Sequence, residues 1–441
     1  MNPNSPWDYD RAAPTPLPRS LWASISPPAA ETAQATQDTR VDVAVIGAGY
    51  TGLSTAIHLR QTGINVAIIE AAEAGWGASG RNGGQVIPGL KIDPDEIEAF
   101  VGGDRGRRLV AWAGSAPDMV FDLIKQHEID CSPVRNGWIQ PAYTKASLEI
   151  VGSRCRQWQE RGAPVEMLDP AKLPDILGTP KYVGAWMDRR GGSINPMAYS
   201  RGLARAALAA GARIYTSTPV QKLERAASVW KVITPRATFT ADHVVVATGA
   251  YCGDLVPGLK RTIVATRIGE VATKPLGHNV LTKILPGRQL ASDWRRLLAS
   301  FRITPDGRLM MGGSTATAGP ETTKIRDSLH RAARDLFGHY CEFEWDFFWS
   351  GIFAVTPDKL PHLHEPLPNL IAALGCNGRG IAISTAMGKV LAERVRGVSE
   401  DELILPVSRL APMHFHFLRR PVVDFLIKIK GIQDKVDRAR T

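Results

Sequence analysis

Residues 41–70 read VDVAVIGAGYTGLSTAIHLRQTGINVAIIE. The opening VDVAVI is a short, β-branched apolar run of the kind found in a strand buried in a parallel sheet. Residues 51–63 then carry apolar side chains at helical spacing and stop at Gly63, and NVAIIE at 65–70 returns to strand. This order predicts a βαβ unit. Gly47, Gly49 and Gly52 form G-x-G-x-x-G around Tyr50 and Thr51, and Glu70 closes the second strand eighteen positions after Gly52. The glycines allow a tight turn, a close approach of backbone N–H groups to a pyrophosphate at the helix N-terminus, and close packing of helix on strand. An acid at Glu70 is placed to bind a ribose diol. The stretch predicts an α/β chain with a Rossmann-like dinucleotide-binding domain.

Outward from this unit, residues 75–85 read GWGASGRNGGQ, five glycines interleaved with Ala78, Ser79, Arg81, Asn82 and Gln85. Such a loop, with Gly83 and Gly84 at its end, can wrap backbone around an extended ligand, and Arg81 can face phosphate charge. A third glycine-rich turn, GCNGRG at 375–380, precedes the helical run IAISTAMGKVLAERV. There the positive helix end suits the electron-rich pyrimidine edge of a reduced flavin. Three backbone cradles exceed what NAD requires, which favours FAD. No second βαβ unit built on a G-x-G-x-x-G turn follows in the sequence, so electrons are expected to enter from a substrate and not from NAD(P)H.

The pattern divides the chain into an N-terminal arm (1–40), a FAD-binding domain of interleaved segments (41–90, 191–260 and 366–400), a substrate domain (91–190 and 261–365) and a basic tail (401–441). The arm, rich in Pro, Ala, Ser and Thr, is expected to lie extended over the surface or to be partly mobile. The substrate domain reads as α+β with a mixed or antiparallel sheet, and FRITPDGRLMMGGS at 301–314 predicts a hairpin turning at Pro305-Asp306-Gly307. In the tail, Val422, Leu426, Ile429 and Ile432 recur at helical spacing among seven Lys or Arg. That pattern suits packing on the protein body, with contact to an anionic membrane surface as the alternative.

Composition sets the outer limits. The 441 residues are 44% hydrophobic and 22% charged, ordinary for a globular protein of two or three folding units, and 53 basic against 43 acidic side chains leave +10. The excess suits anionic ligands, but without aromatic interleaving or a known module it does not indicate a nucleic-acid binder. Five scattered cysteines without a C-x-x-C pair fit a reducing compartment, and with no membrane-spanning run or secretion core the protein is expected to be cytoplasmic. His362 and His364 have no companion acids at metal spacing, so no metal is expected. Cys376 reads as a small filler residue. Trp345, Phe347, Phe348, Trp349 and Phe353 either wall a cavity or form ordinary sheet core. No G-x-S-x-G elbow supports a serine hydrolase.

Taken with ADHVVVATGAY (241–251), WSGIFAVTPDKLPHL (349–363) and LGCNGRGIAISTAMGKVLAE (374–393), these segments resemble the D-amino-acid oxidase-like FAD oxidoreductases, most closely the γ-glutamylputrescine oxidase subgroup, over residues 41 to 400. The resemblance implies FAD extended from the first βαβ unit and a flavin ring over a sheet of the substrate domain. It also implies hydride transfer from the carbon beside an amine nitrogen, giving an imine that hydrolyses. Val220 is implied at the adenine, Thr248 and Gly249 along the dinucleotide path, and Gly378, Arg379, Gly380 and Ile381 at the flavin. Where sarcosine oxidases carry a flavin-linked cysteine this chain has Gly351, implying non-covalent FAD. Where they carry a carboxylate-binding lysine it has Ala382, which leaves Arg302 as the candidate to hold a substrate carboxylate. No catalytic acid or base is assigned. The implied partners are a small amine or amino acid and an electron acceptor, either oxygen or a quinone or protein. The alternatives are an L-pipecolate or N-methyl amino acid oxidase or dehydrogenase, and a non-catalytic FAD-binding subunit of a larger dehydrogenase.

Overall fold

A computed structural model describes residues 16–294, 299–317, 322–418, 421, 425 and 429. The strand Thr39–Ile46 lies between Val66–Ile69 and Thr238–Val246, and all three run parallel, as a buried apolar strand flanked by crossovers requires. Leu370–Leu374 and Arg213–Tyr215 extend the parallel set on either side, and further strands bring the described sheet to nine. The helices Tyr50–Arg60 and Gly380–Val395 cross closely over one face. A Cβ on Gly388 would lie 2.5 Å from the Ser54 side chain, and Ser54 Oγ donates to the Thr385 carbonyl at 2.8 Å. That crossing sets both helix N-termini beside the sheet's C-terminal edge, where open α/β sheets bind ligands.

The second sheet has eight described strands and is mostly antiparallel. It includes the expected hairpin: Ala299–Ile303 pairs with Leu309–Thr317, Gly307 has φ +79°, and Thr304 and Arg308 close the turn. Alternation along these strands separates two faces. Ile139, Ala291, Phe301, Met311 and Val271 pack on one side against the helix Thr322–Phe337. Trp138, Gln140, Ser292, Ser300, Arg302 and Glu270 occupy the other side, which turns toward the first sheet, and all six are buried. A sheet face carrying that much buried polar surface calls for polar partners.

From residue 16 on, the arm departs from the extended surface strap expected of it. Ser20 caps a short helix, Leu21–Ile25, and Leu21 and Trp22 are fully buried against Met197 and the second-sheet residues Ala272, Met310 and Trp349. Their apolar area outweighs the segment's loop-like composition. At the other end, the Met413 N–H donates to the Arg261 carbonyl and the His416 ring to the Ile263 carbonyl, while Phe415 and Phe417 are exposed. Val422, Leu426 and Ile432 of the expected tail helix, and the basic residues between 419 and 440, lie outside the described residues. No helix among the described residues is long and apolar enough to cross a membrane.

Candidate functional site

A crevice opens along the C-terminal edge of the parallel strands. Its floor is the first glycine turn. Gly47 has φ +104°, and a Cβ on Gly52 would lie 2.0 Å from the Gly47 carbonyl oxygen, so helix and turn touch as only glycine permits. The helix Tyr50–Arg60 starts at Gly49, which has no side chain to cap it, and its N-terminal end borders the crevice. The second loop closes on the first through Ser79, whose Oγ accepts from the Tyr50 N–H at 3.1 Å. Asn82 holds that loop in shape, donating to the Ala78 and Ser79 carbonyls and accepting from the Gly84 N–H.

Glu70 stands at the end of its strand as expected. Its carboxylate accepts the Ala48 N–H at 2.7 Å and the Ala72 N–H at 2.9 Å, and burial pushes its pKa upward against the pull of those donors. Gly47, Gly49, Tyr50, Thr51, Glu70, Ala78, Ser79, Val220, Thr248 and Gly249 all line the crevice. Thr248 Oγ1 is buried there with no hydrogen-bond partner, the mark of a polar surface built for a ligand. Trp76, Tyr251 and Met387 also line it, unforeseen from sequence, as does Phe353 alone among the five aromatic residues of 345–353. Trp76 lies inside the glycine-rich loop, so its position was available to notice. A glycine turn at a helix N-terminus, a carboxylate and an orphan hydroxyl along one extended groove fit an FAD.

Other sequence-marked residues sit elsewhere. Arg81 donates to the Trp76 carbonyl at 2.7 Å and stacks on the Trp76 ring at 4.1 Å, and it borders Gly351, whose added Cβ would meet the Arg81 side chain at 3.2 Å. Neither residue lines the crevice. Gly83 and Gly84 end at the polar face of the second sheet, and Gln85 donates to the Ala291 carbonyl there at 3.4 Å. Cys376 lines the crevice, and Gly378, with φ +85°, turns the chain into the helix begun by Gly380 and Ile381. Arg379, between them, carries its guanidinium over the Trp138 ring at 4.6 Å. The third turn thus joins the crevice to the second sheet.

Arg302 is 2% exposed and neither a surface residue nor open to the crevice. Its Nη1 reaches the Gly83, Gly84 and Ile194 carbonyls, at 3.4, 3.0 and 2.8 Å. Trp22 lies over its guanidinium at 5.5 Å, and burial lowers its pKa to about 10. It pins the glycine-rich loop to the second sheet. Glu270, missed from sequence, is buried beside it, and burial holds its carboxyl pKa well above the usual range despite the attraction of Arg302. His362 pairs with Asp358 at 2.8 Å, and the five cysteines are free thiols.

Known proteins of similar sequence and shape agree with this geometry. The profile of the FAD dependent oxidoreductase family, DAO, matches residues 42–394. The γ-glutamylputrescine oxidoreductase of Escherichia coli K12 is 30% identical over 361 residues, covering 81% of this chain and 84% of that protein. A probable oxidoreductase, OrdL, of Rhizobium meliloti is 32% identical over 372 residues, covering 82% of this chain and 84% of that one. Among solved structures, glycine oxidase from Geobacillus kaustophilus superposes with a TM-score of 0.70 at 24% identity, over 81% of this chain and 95% of that one, a likeness of fold.

Proposed function

The chain belongs to the DAO family of FAD-dependent oxidoreductases, and from that premise we propose that it oxidises the carbon–nitrogen bond of a small amine, with a γ-glutamylated diamine as the first candidate. The observation that carries this reading is the buried polar face of Trp138, Gln140, Ser292, Ser300 and Glu270, reached from the crevice by the turn at 375–380. FAD, when bound, supplies the acceptor for a hydride from the substrate carbon. Gly47, Gly49 and Ser79 would hold its pyrophosphate side and Glu70 its ribose. Trp138 and Trp186, edge to face at 5.5 Å, are both buried at that face, and an amine bound beside them would be held neutral by desolvation. Water then hydrolyses the imine product. The segments 41–90, 191–260 and 366–400 carry the cofactor in this reading, and 91–190 with 261–365 the substrate.

The experiment is anaerobic mixing of the yellow holoenzyme with a panel of γ-glutamylated diamines, free diamines, and cyclic and N-methyl amino acids. Bleaching of the flavin by one class and re-oxidation by air or a quinone identifies donor and acceptor. A flavin bleached by dithionite but by no amine in the panel sinks the proposal.

A further inference from the structure

Near its C-terminal end the chain carries aromatic rings that nothing among the described residues covers. Phe415 and Phe417 are each 70% exposed and meet one another edge to face, with centroids 6.2 Å apart, and Leu418 and Phe425 are exposed close by in sequence. Of the nine large apolar side chains exposed among the described residues, these four fall within eleven positions. Single apolar residues on a surface are ordinary, but a cluster of this kind marks a place of interaction. The cluster is also anchored. His416, between the two rings, is buried and bonds the Ile263 carbonyl at 3.0 Å, and the Met413 N–H donates to the Arg261 carbonyl at 2.9 Å. Leu410, just before them, packs with Tyr251 and Leu255 on one core cluster. Tyr251 and Leu255 line the cofactor crevice, so the exposed rings stand on a segment fastened to the crevice wall.

The charge of the segment identifies its partner. Residues 411–441 hold seven Lys or Arg against three Asp, with Val422, Val423, Leu426, Ile427, Ile429 and Ile432 interleaved among them. A second copy of the segment would set the same positive charge against itself, and a nucleic-acid strand offers phosphates but no partner for aliphatic side chains. Anionic lipid offers both, headgroups for the cations and acyl chains for the apolar side chains. We propose that the segment from Phe415 onward docks the protein on the surface of an anionic bilayer, with Phe415 and Phe417 entering the headgroup layer. The contact is peripheral, because the apolar runs between these charges are far shorter than the roughly 20 residues that a span needs. It holds whichever amine the enzyme oxidises.

The test sediments the holoenzyme with vesicles of phosphatidylcholine and phosphatidylglycerol in equal parts, and with vesicles of phosphatidylcholine alone. Binding to the mixed vesicles should be about 100-fold tighter or more, since each basic side chain near an anionic surface raises the partition roughly fivefold. It should weaken steeply between about 0.1 M and about 1 M salt, as the screening length shortens from about 10 to about 3 Å. Phe415→Ser/Phe417→Ser should keep the wild-type melting temperature and flavin content yet bind the mixed vesicles about tenfold more weakly. Lys428→Glu/Lys430→Glu probes the charge separately and should lose at least as much. Equal binding to both kinds of vesicle, binding to neither, or undiminished binding by the phenylalanine variant overturns the proposal. A dimer in solution that the phenylalanine variant dissociates, or tighter binding of a single-stranded oligonucleotide than of mixed vesicles, overturns it as well and reassigns the surface.

Discussion

The indole N–H of Trp22 donates to the carbonyl of Asn82 at 2.9 Å across sixty positions of sequence. The ring also meets Trp349 edge to face, with centroids 6.1 Å apart. The arm is in this way a brace behind the glycine-rich loop. Trp22→Ala should cost about 3–5 kcal/mol and weaken FAD retention, whereas Trp22→Phe, which keeps most of the packing, should cost only about 1 kcal/mol for the lost bond. Urea melts of apo and holo protein measure both, and equal stability of the two variants would show that the arm merely covers the surface.

Gly49 and Gly52 serve different purposes, and their valine variants should fail differently. A Cβ on Gly52 meets the Gly47 carbonyl at 2.0 Å, but one on Gly49 meets only Ser79 Oγ, at 3.0 Å. Gly52→Val should therefore yield little folded protein. Gly49→Val should fold, with normal far-ultraviolet dichroism, yet purify colourless because the pyrophosphate approach is filled. Normal flavin content in Gly49→Val would show that the turn has been misread.

Arg302 should behave as a structural cation. Arg302→Leu strands the Gly84 and Ile194 carbonyls, so a loss of about 1–3 kcal/mol for each is expected. A thermal melt unchanged from wild type would argue that the side chain is free to serve a ligand instead.

Glu270 sets a pH dependence whose sign is fixed by its raised pKa. The folded protein keeps this carboxyl protonated above the ordinary value of 4.5, where the unfolded chain has released the proton. Its contribution is therefore complete below that value and is lost as pH rises toward the folded pKa. Denaturant midpoints of wild type should fall from pH 5 upward relative to Glu270→Gln, which cannot ionise. Parallel pH profiles for the two would contradict the burial of an uncharged acid.

With glycine at position 351, no attachment atom stands at the place implied for a flavin linkage. Acid precipitation should leave a colourless pellet and release FAD to the supernatant. Colour retained by the denatured chain would locate a covalent bond elsewhere.

The first βαβ unit and the acid that ends its second strand were legible because a β-branched apolar run and helical apolar spacing sit on either side of an unmistakable glycine turn. The hairpin at 305–307 was legible from turn chemistry alone. Arg302 shows where local pattern ends: its strand marks a cation on a sheet, but whether that cation meets a ligand depends on Trp22, which arrives from a segment with no periodicity. Glu270 gave no signal either, since a lone carboxylate in a strand is ordinarily solvated and only tertiary closure buries it. Arg379 stood in a readable turn, yet its guanidinium has no hydrogen-bond or ion-pair partner among the described residues, where Asp93 and Asp188 are engaged by Arg154 and Arg190, which no spacing records.

The parallel sheet places Leu370–Leu374 against Thr238–Val246, and the helix Gly380–Val395 over Tyr50–Arg60. On a ribosome, the opening βαβ unit must therefore wait for most of the chain to be made before its neighbours exist. Contacts of such long sequence separation make for slow folding. Nascent chains released before about residue 395 would expose the glycine turn and an open strand edge together. The crevice is lined by residues from Ile46 to Met387, so it is complete, and open to FAD, only when almost the whole chain has been made.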